Sequence, residues 1–135
     1  MLNKLDTQIQ QFLSSEAFGV AGASTNREKY GNKVLRCYLQ HTKTVYPINP
    51  RAEEIEGIAC VKTVADLPTN VKSLSVITPP AITEQVVIEA IAKGIKNIWM
   101  QPGAESAKAI ANCEQHGINV IAGGACILVV LGYKD

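Results

Sequence analysis

Three features of the sequence predict an α/β fold, a doubly wound parallel sheet with helices on both faces in three layers. Short apolar or β-branched runs alternate with stretches whose apolar residues recur every three or four positions. The helical stretches between strands run to about 10–13 residues, the length of a right-handed crossover between parallel strands. The chain has 135 residues, 47% of them hydrophobic. That suffices for one domain spanning 1–135, with a core that needs neither disulfides nor a structural metal. No linker, low-complexity stretch or internal repeat divides it.

A helix is expected over 2–15, where Leu2, Leu5, Ile9 and Phe12 share one face. The apolar run Phe18 to Ala23 predicts the first strand. Val34, Leu35, Tyr38 and Leu39 define a helix from Asn32 to about Gln40, and Thr44 to Ile48 is the second strand. Residues 53–57 read as a helical turn ended by Gly57, and Ile58 to Val61 as a short third strand. Thr63 to Leu67 reads as another helical turn, with Thr63 as its cap and Pro68 closing it. Leu74 to Thr78 is the fourth strand, apolar on both faces. Pro80 suits a first helical position, with a helix over 81–93 and Gly94 as its cap. Ile98 to Met100, a helix from Glu105 to Gln115 closed by Gly117, and strand Ile118 to Ile121 complete the pattern. The apolar tail 125–131 fits no single element.

Composition excludes several classes. The formal net charge is +1 and aromatics are 5%, against a nucleic-acid binder built on a basic surface or a base-stacking platform. No apolar run approaches the roughly 20 residues of a membrane helix. The start, MLNKLDTQIQQFL, is too polar for a signal peptide. The expectation is a cytoplasmic protein with neither nucleic acid nor membrane as partner. Cys37, Cys60, Cys113 and Cys126 form no closely spaced pair, so they read as reduced, small apolar side chains rather than metal ligands. His41 and His116 stand at helix ends, where they meet terminal carbonyls. No catalytic constellation and no metal site emerges from the spacing.

A doubly wound sheet binds ligands outside the carboxyl ends of its strands, where the strand order reverses. That selects four loops: 22–31, 49–51, 78–80 and 101–105. In the first, Gly22 permits a tight turn and small Ala23 and Ser24 let a phosphate approach a helix N-terminus. The next glycine is Gly31, so the spacing departs from G-x-G-x-x-G, and a glycine-containing turn without ligand is the alternative. Residues 27–51 hold Arg27, Lys29, Lys33, Arg36, Lys43 and Arg51 against Glu28 alone, a net +5 in that segment. A polyanion would be drawn there. Lys33, Arg36 and Lys43 fit a solvated helix face, whereas Arg27, Lys29 and Arg51 fall in ligand-side loops.

After the second strand, an NAD site places a carboxylate on the ribose. This chain has Asn49, Pro50 and Arg51 instead. An arginine there suits a ribose phosphate, as in NADP or coenzyme A (CoA). Asn49 bonds either a ribose or its own turn. Thr78, Pro79 and Pro80 offer a rigid apolar wall for an adenine, or simply start a helix. Gln101 and Gly103 border the far end. Trp99 reads as core, and Cys126 is the thiol to watch for reactivity.

The strings Phe18-Gly19-Val20-Ala21-Gly22-Ala23-Ser24, Lys29-Tyr30-Gly31-Asn32-Lys33-Val34 and Val45-Tyr46-Pro47-Ile48-Asn49-Pro50 resemble the small CoA-binding proteins. Gly57, Asp66-Leu67-Pro68, Ile98-Trp99-Met100-Gln101-Pro102-Gly103-Ala104 and Cys126 extend the resemblance over nearly the whole chain. That family is similar to the N-terminal domain of the succinyl-CoA synthetase α subunit, a Rossmann-like, NAD(P)-binding-like fold. The resemblance implies that Gly22, Ala23 and Ser24 cradle CoA phosphates. It sets Asn49, Pro50 and Arg51 near the ribose and its 3′-phosphate, and Thr78, Pro79 and Pro80 at the adenine. Synthetase catalysis also needs a phosphorylated histidine from a further domain, so ligase activity is not implied.

The function expected is binding of CoA or an acyl-CoA without catalysis, with a possible protein partner. The alternatives are an NADP-dependent oxidoreductase or a CoA-transfer enzyme acting with a partner chain. A third reading has Cys126 forming a mixed disulfide with the CoA thiol.

Overall fold

A computed structural model describes residues 3–135, so the expected helical position of Leu2 lies outside the described residues. The elements are α1 (Lys4–Leu13), β1 (Ala17–Ala21), α2 (Tyr30–Gln40), β2 (Thr44–Ile48), β3 (Glu54–Ile55), β4 (Ile58–Ala59), a 3₁₀ turn (Val64–Asp66), β5 (Val71–Val76), α3 (Pro80–Lys93), β6 (Asn97–Met100), α4 (Ala107–Gln115), β7 (Asn119–Ile121) and α5 (Ile127–Leu131). Five strands form a parallel sheet in the order β2-β1-β5-β6-β7. The order reverses between β1 and β5, which makes that junction the topological switch point.

Alternation along the strands divides the core between the two faces of the sheet. Phe18, Val20, Val45, Trp99 and Ile121 pack with α1, α2 and α5, joined by Phe12, Val34, Leu35, Tyr38 and Ile127. Leu74, Val76, Ile98 and Met100 pack with α3 and α4 through Val86, Val87, Ala90, Ala109 and Cys113. The first face is aromatic. Phe18 stacks on Tyr38 at 4.8 Å between centroids, and Phe12 meets Trp99 edge-on at 5.3 Å.

The central strand starts three residues earlier than the apolar pattern indicates, and it is not apolar on both sides. Ser73 and Ser75 face the aromatic layer, where Ser75 Oγ bonds the buried Tyr38 hydroxyl at 2.6 Å and Ser73 Oγ donates to the Phe12 carbonyl at 2.7 Å. Small side chains make room for the rings while their hydroxyls satisfy buried polar atoms.

Four local readings are corrected. Residues 53–57 are not a helical turn: β3 and β4 form an antiparallel hairpin around Glu56-Gly57, both at positive φ (51° and 79°). Two consecutive positive φ values make the tight hairpin turn whose twist matches its strands. The run 58–61 is therefore not a full strand of the main sheet, and only Val61 bridges to it, beside Ile48. The first strand ends at Ala21 because Gly22 turns the chain at φ 92°. The fourth helix begins at Ala107, two residues later than expected, because Ser106 caps it by accepting from Ala109 N. Pro80 and Gly94 stand at the two ends of α3 as expected. The tail forms the short helix α5, packed on α2.

Candidate functional site

The switch point is built by backbone contact between glycines. A Cβ on Gly22 would lie 2.2 Å from the Ile77 carbonyl oxygen, and one on Gly31 would lie 2.0 Å from the Gly22 carbonyl oxygen. Both positions admit only glycine, so the start of α2 seats directly on the turn after β1.

The loop after β1 is held from below by two amide side chains. Asn49 Nδ2 donates to the Ala23 carbonyl at 3.0 Å, and the fully buried Asn32 donates through Nδ2 to the Ser24 carbonyl at 2.9 Å. In a trans peptide the N–H lies opposite the carbonyl. The N–H groups of Ser24 and Thr25 therefore project away from these braces, and they donate to no acceptor among the described residues. Ser24 Oγ accepts from Asn26 N at 3.1 Å, closing the turn. Helix α2 starts nearby with no side-chain cap. Free amides and an uncapped helix start together form an anion-binding arrangement.

Three hollows sharing residues make one crevice along the carboxyl edge. The first, about 310 Å³, is lined by Gly22, Ala23, Ile48, Pro50, Lys62, Thr63, Thr78 and Glu89, among others. The middle one, about 620 Å³, is lined by Gly22–Ser24, Glu28–Gly31 and Ile77. The third, about 260 Å³, is lined by Tyr30, Ile77, Gln101, Pro102 and Cys126. Gly22 and Ala23 join the first two; Tyr30 and Ile77 join the last two.

The crevice gathers Gly22, Ala23, Ser24, Lys29, Pro50, Thr78 and Gln101 from the sequence-derived set. Asn49 sits beneath it as a brace, and its Oδ1 also accepts from Arg51 N and Ala52 N. Arg51 is exposed and stands outside the lining, as do Pro79, Pro80 and Gly103. Gly103 N instead donates to Glu105 Oε1 at 2.7 Å. Arg27 pairs with Glu56 on the hairpin turn. Arg36 does not lie on a solvated face: it bonds Asn32 Oδ1 at 2.6 Å and the Arg27 carbonyl at 2.7 Å.

Lys62, Thr63, Tyr30 and Glu89 line the crevice without having been singled out from the sequence. Lys62 and Thr63 had a signal, since a strand ending at Val61 puts them at a strand's carboxyl end. Val61 does extend the sheet edge there: Asn49 N donates to its carbonyl at 2.9 Å.

Gln101 is buried; its Oε1 accepts from Ile127 N at 2.9 Å and its Nε2 donates to Cys126 Sγ at 3.3 Å, fixing one wall of the third hollow. Burial pushes the Cys37 and Cys113 thiols up to about 11, so both stay protonated. Burial likewise drives the Tyr38 phenol far above its ordinary range. His41 and His116 bond the carbonyls of Cys37 and Asn112, each at 2.9 Å, as expected at helix ends. Among the described residues no helix is long and apolar enough to cross a membrane.

A parallel sheet flanked by helices, with unpartnered turn amides at its switch point, defines a Rossmann-like class of α/β module. The chain belongs to the CoA binding domain family, whose model matches residues 16–132. Over 91 residues it is 30% identical to the acetate–CoA ligase [ADP-forming] II subunit alpha of Pyrococcus furiosus, covering 67% of this chain and 20% of that protein. The chain therefore spans about a fifth of that relative's length. A conserved hypothetical protein from Pyrococcus furiosus has a similar structure, with 38% identity and a TM-score of 0.81 over 85% of this chain and 98% of that one. A dinucleotide-forming acetyl-coenzyme A synthetase 1 from Ca. Korarchaeum cryptofilum, in complex with phosphate and ADP, is 26% identical with a TM-score of 0.75. That match covers 85% of this chain and 27% of that one.

Proposed function

We propose that this chain binds CoA or an acyl-CoA along the carboxyl edge of its sheet and does not itself transform it. The reading is carried by the Ser24 and Thr25 amides, which are freed by the Asn32 and Asn49 braces at the β1/β5 junction. Those amides and the start of α2 suit the diphosphate. The hollow lined by Pro50, Lys62, Thr63 and Thr78 suits the adenosine, with Lys62 as the cation in its lining available to a ribose phosphate. The hollow lined by Tyr30, Ile77, Pro102 and Cys126 suits the pantetheine arm and a small acyl group. Family membership and the likeness to CoA ligases support the same ligand. The residues fit the group, since the crevice offers amide donors at its middle and a predominantly apolar hollow on either side.

In this reading a further domain or partner chain supplies any acyl-transfer chemistry, because the ligase relatives are several times longer than this chain. Calorimetry with CoA, acetyl-CoA, dephospho-CoA, NAD and NADP on reduced protein tests the reading. CoA and acetyl-CoA binding well above NADP is the expected result. Preference for NADP, or no binding of CoA, overturns it. Acetyl-CoA left intact by the chain alone, followed by thiol release, is expected on the second point.

A further inference from the structure

Glu56 occupies a position that its residue type does not favour. It is the first residue of the two-residue hairpin turn and sits at φ 51°, where asparagine, aspartate or glycine is the usual choice. A non-glycine residue held at positive φ is strained, and such strain persists where the surroundings hold it. Here the side chain is what is held. Its Oε1 accepts from Arg27 Nη1, and its Oε2 accepts from Asn32 Nδ2 at 3.1 Å. Only 19% of the Glu56 side chain is exposed, although the hairpin is a surface element.

These contacts converge on the anion loop. Asn32 is wholly buried, and the same Nδ2 that meets Glu56 also bonds the Ser24 carbonyl. Arg27 lies on the loop itself. Arg36 closes the ring through Asn32 Oδ1 and the Arg27 carbonyl. The carboxylate therefore fixes the Asn32 amide that turns the Ser24 peptide, and ties the far end of the loop to the hairpin.

We propose that Glu56 is a positioning residue that presets the Thr25 amide, the N–H of the peptide whose carbonyl Asn32 holds, for an anionic ligand without touching that ligand. The ligand's identity as CoA rests on the reading above; the bracing itself does not. Preorganisation raises affinity by removing the ordering cost from binding.

The test uses Glu56→Asn and Glu56→Gln. Asparagine suits the turn's backbone but is too short to keep both contacts. Glutamine keeps an acceptor for Asn32 and loses the charge. Three measurements are made on each: melting temperature, amide order parameters of residues 23–25 without ligand, and CoA affinity. In Glu56→Asn the loop amides are expected to fall from rigid values near 0.85 toward 0.6, with melting within a few degrees of the parent. CoA and dephospho-CoA are expected to weaken by the same factor, on the order of tenfold, with Glu56→Gln between the two. Unchanged loop order in Glu56→Asn overturns the proposal, whatever happens to CoA. Loss of loop order in a protein whose parent form binds no CoA upholds the brace and overturns the CoA reading. Equal loss of order and of melting temperature in both variants makes Glu56 a general structural residue and overturns the positioning role.

Discussion

Asn32, wholly buried on α2, donates to the Ser24 carbonyl at 2.9 Å while its own Oδ1 accepts from Arg36 Nε at 2.6 Å. One amide thus joins the helix, the loop after β1 and the hairpin turn. Asn32→Ala leaves the Ser24 carbonyl and the Arg36 guanidinium short of partners. It is expected to destabilise the protein by about 1–3 kcal/mol, read by urea unfolding. Asn32→Leu is expected to be at least as costly, since it buries the same unpaired groups beside an apolar side chain. Either variant unfolding like the parent removes the network from the stability of the fold.

Gly31 and Gly103 give a contrasting pair. Gly31→Ala forces a methyl into the Gly22 carbonyl, 2.0 Å from an ideal Cβ. The seat of α2 must shift, at a cost of about 1–3 kcal/mol, and CoA binding is expected to fall sharply. Gly103→Ala meets open space but holds φ 95°, costing about 1–2 kcal/mol with affinity retained. Thermal melts and calorimetry on both variants check this. Intact CoA binding in Gly31→Ala contradicts the described loop geometry.

Under the proposed CoA binding, two cations compete for a role at the ribose phosphate. Lys62 lines the first hollow and Arg51 does not. Lys62→Ala is expected to weaken CoA about tenfold, near 1.4 kcal/mol, and dephospho-CoA much less. Arg51→Ala is expected to change both little. The reverse ranking in calorimetry assigns the phosphate to Arg51.

Acid stability reports on Glu56. The Asn32 amide, and after it the Arg27 guanidinium, hold its carboxyl below the ordinary 4.5. A carboxylate depressed in the folded state contributes stability that is fully present above the unfolded value. That stability is lost as pH falls through the folded value. The parent protein should therefore exceed Glu56→Gln in stability at pH 7, with the margin shrinking below about pH 4.5. Asp135 is also held low, first by the Tyr133 hydroxyl and then by Lys33, but both proteins carry it and the difference isolates Glu56. A margin that does not change with pH refutes the pairing.

Thiol reactivity maps the third hollow. Cys37 and Cys113, buried and raised to about 11, should resist iodoacetamide at pH 8 until the protein unfolds. Cys126 is partly exposed and lines the hollow, so it should alkylate in the native protein and be shielded by CoA. Peptide mass mapping with and without ligand decides this. Equal labelling of Cys126 in both samples takes the pantetheine arm out of that hollow.

Much of this fold was legible along the chain because its signals are local. Pro80 starts α3 and Gly94 ends it through fixed backbone preferences that need no neighbours. The periodicity of Val34, Leu35 and Tyr38 marks the buried face of α2 in the same way. The hairpin at 54–59 is not legible in the sequence because Glu-Gly is a weak turn signal, and the two side chains that hold Glu56 in place belong to Arg27 and Asn32.

For the candidate site, the sequence by itself selected the loops, since a doubly wound parallel order places ligands at the carboxyl ends of its strands. Gly22, Ala23, Ser24 and Thr78 follow from that rule alone. Only the tertiary structure decided which side chains face the crevice. It brought in Lys62, Thr63 and Tyr30, left Arg51 and Gly103 outside, and paired Arg27 with Glu56. It also turned Asn32 and Asn49 into braces for two successive carbonyls. The reason is physical: backbone preferences act over a few residues, whereas hydrogen-bond partners and hollows are set by segments that meet only when the sheet closes.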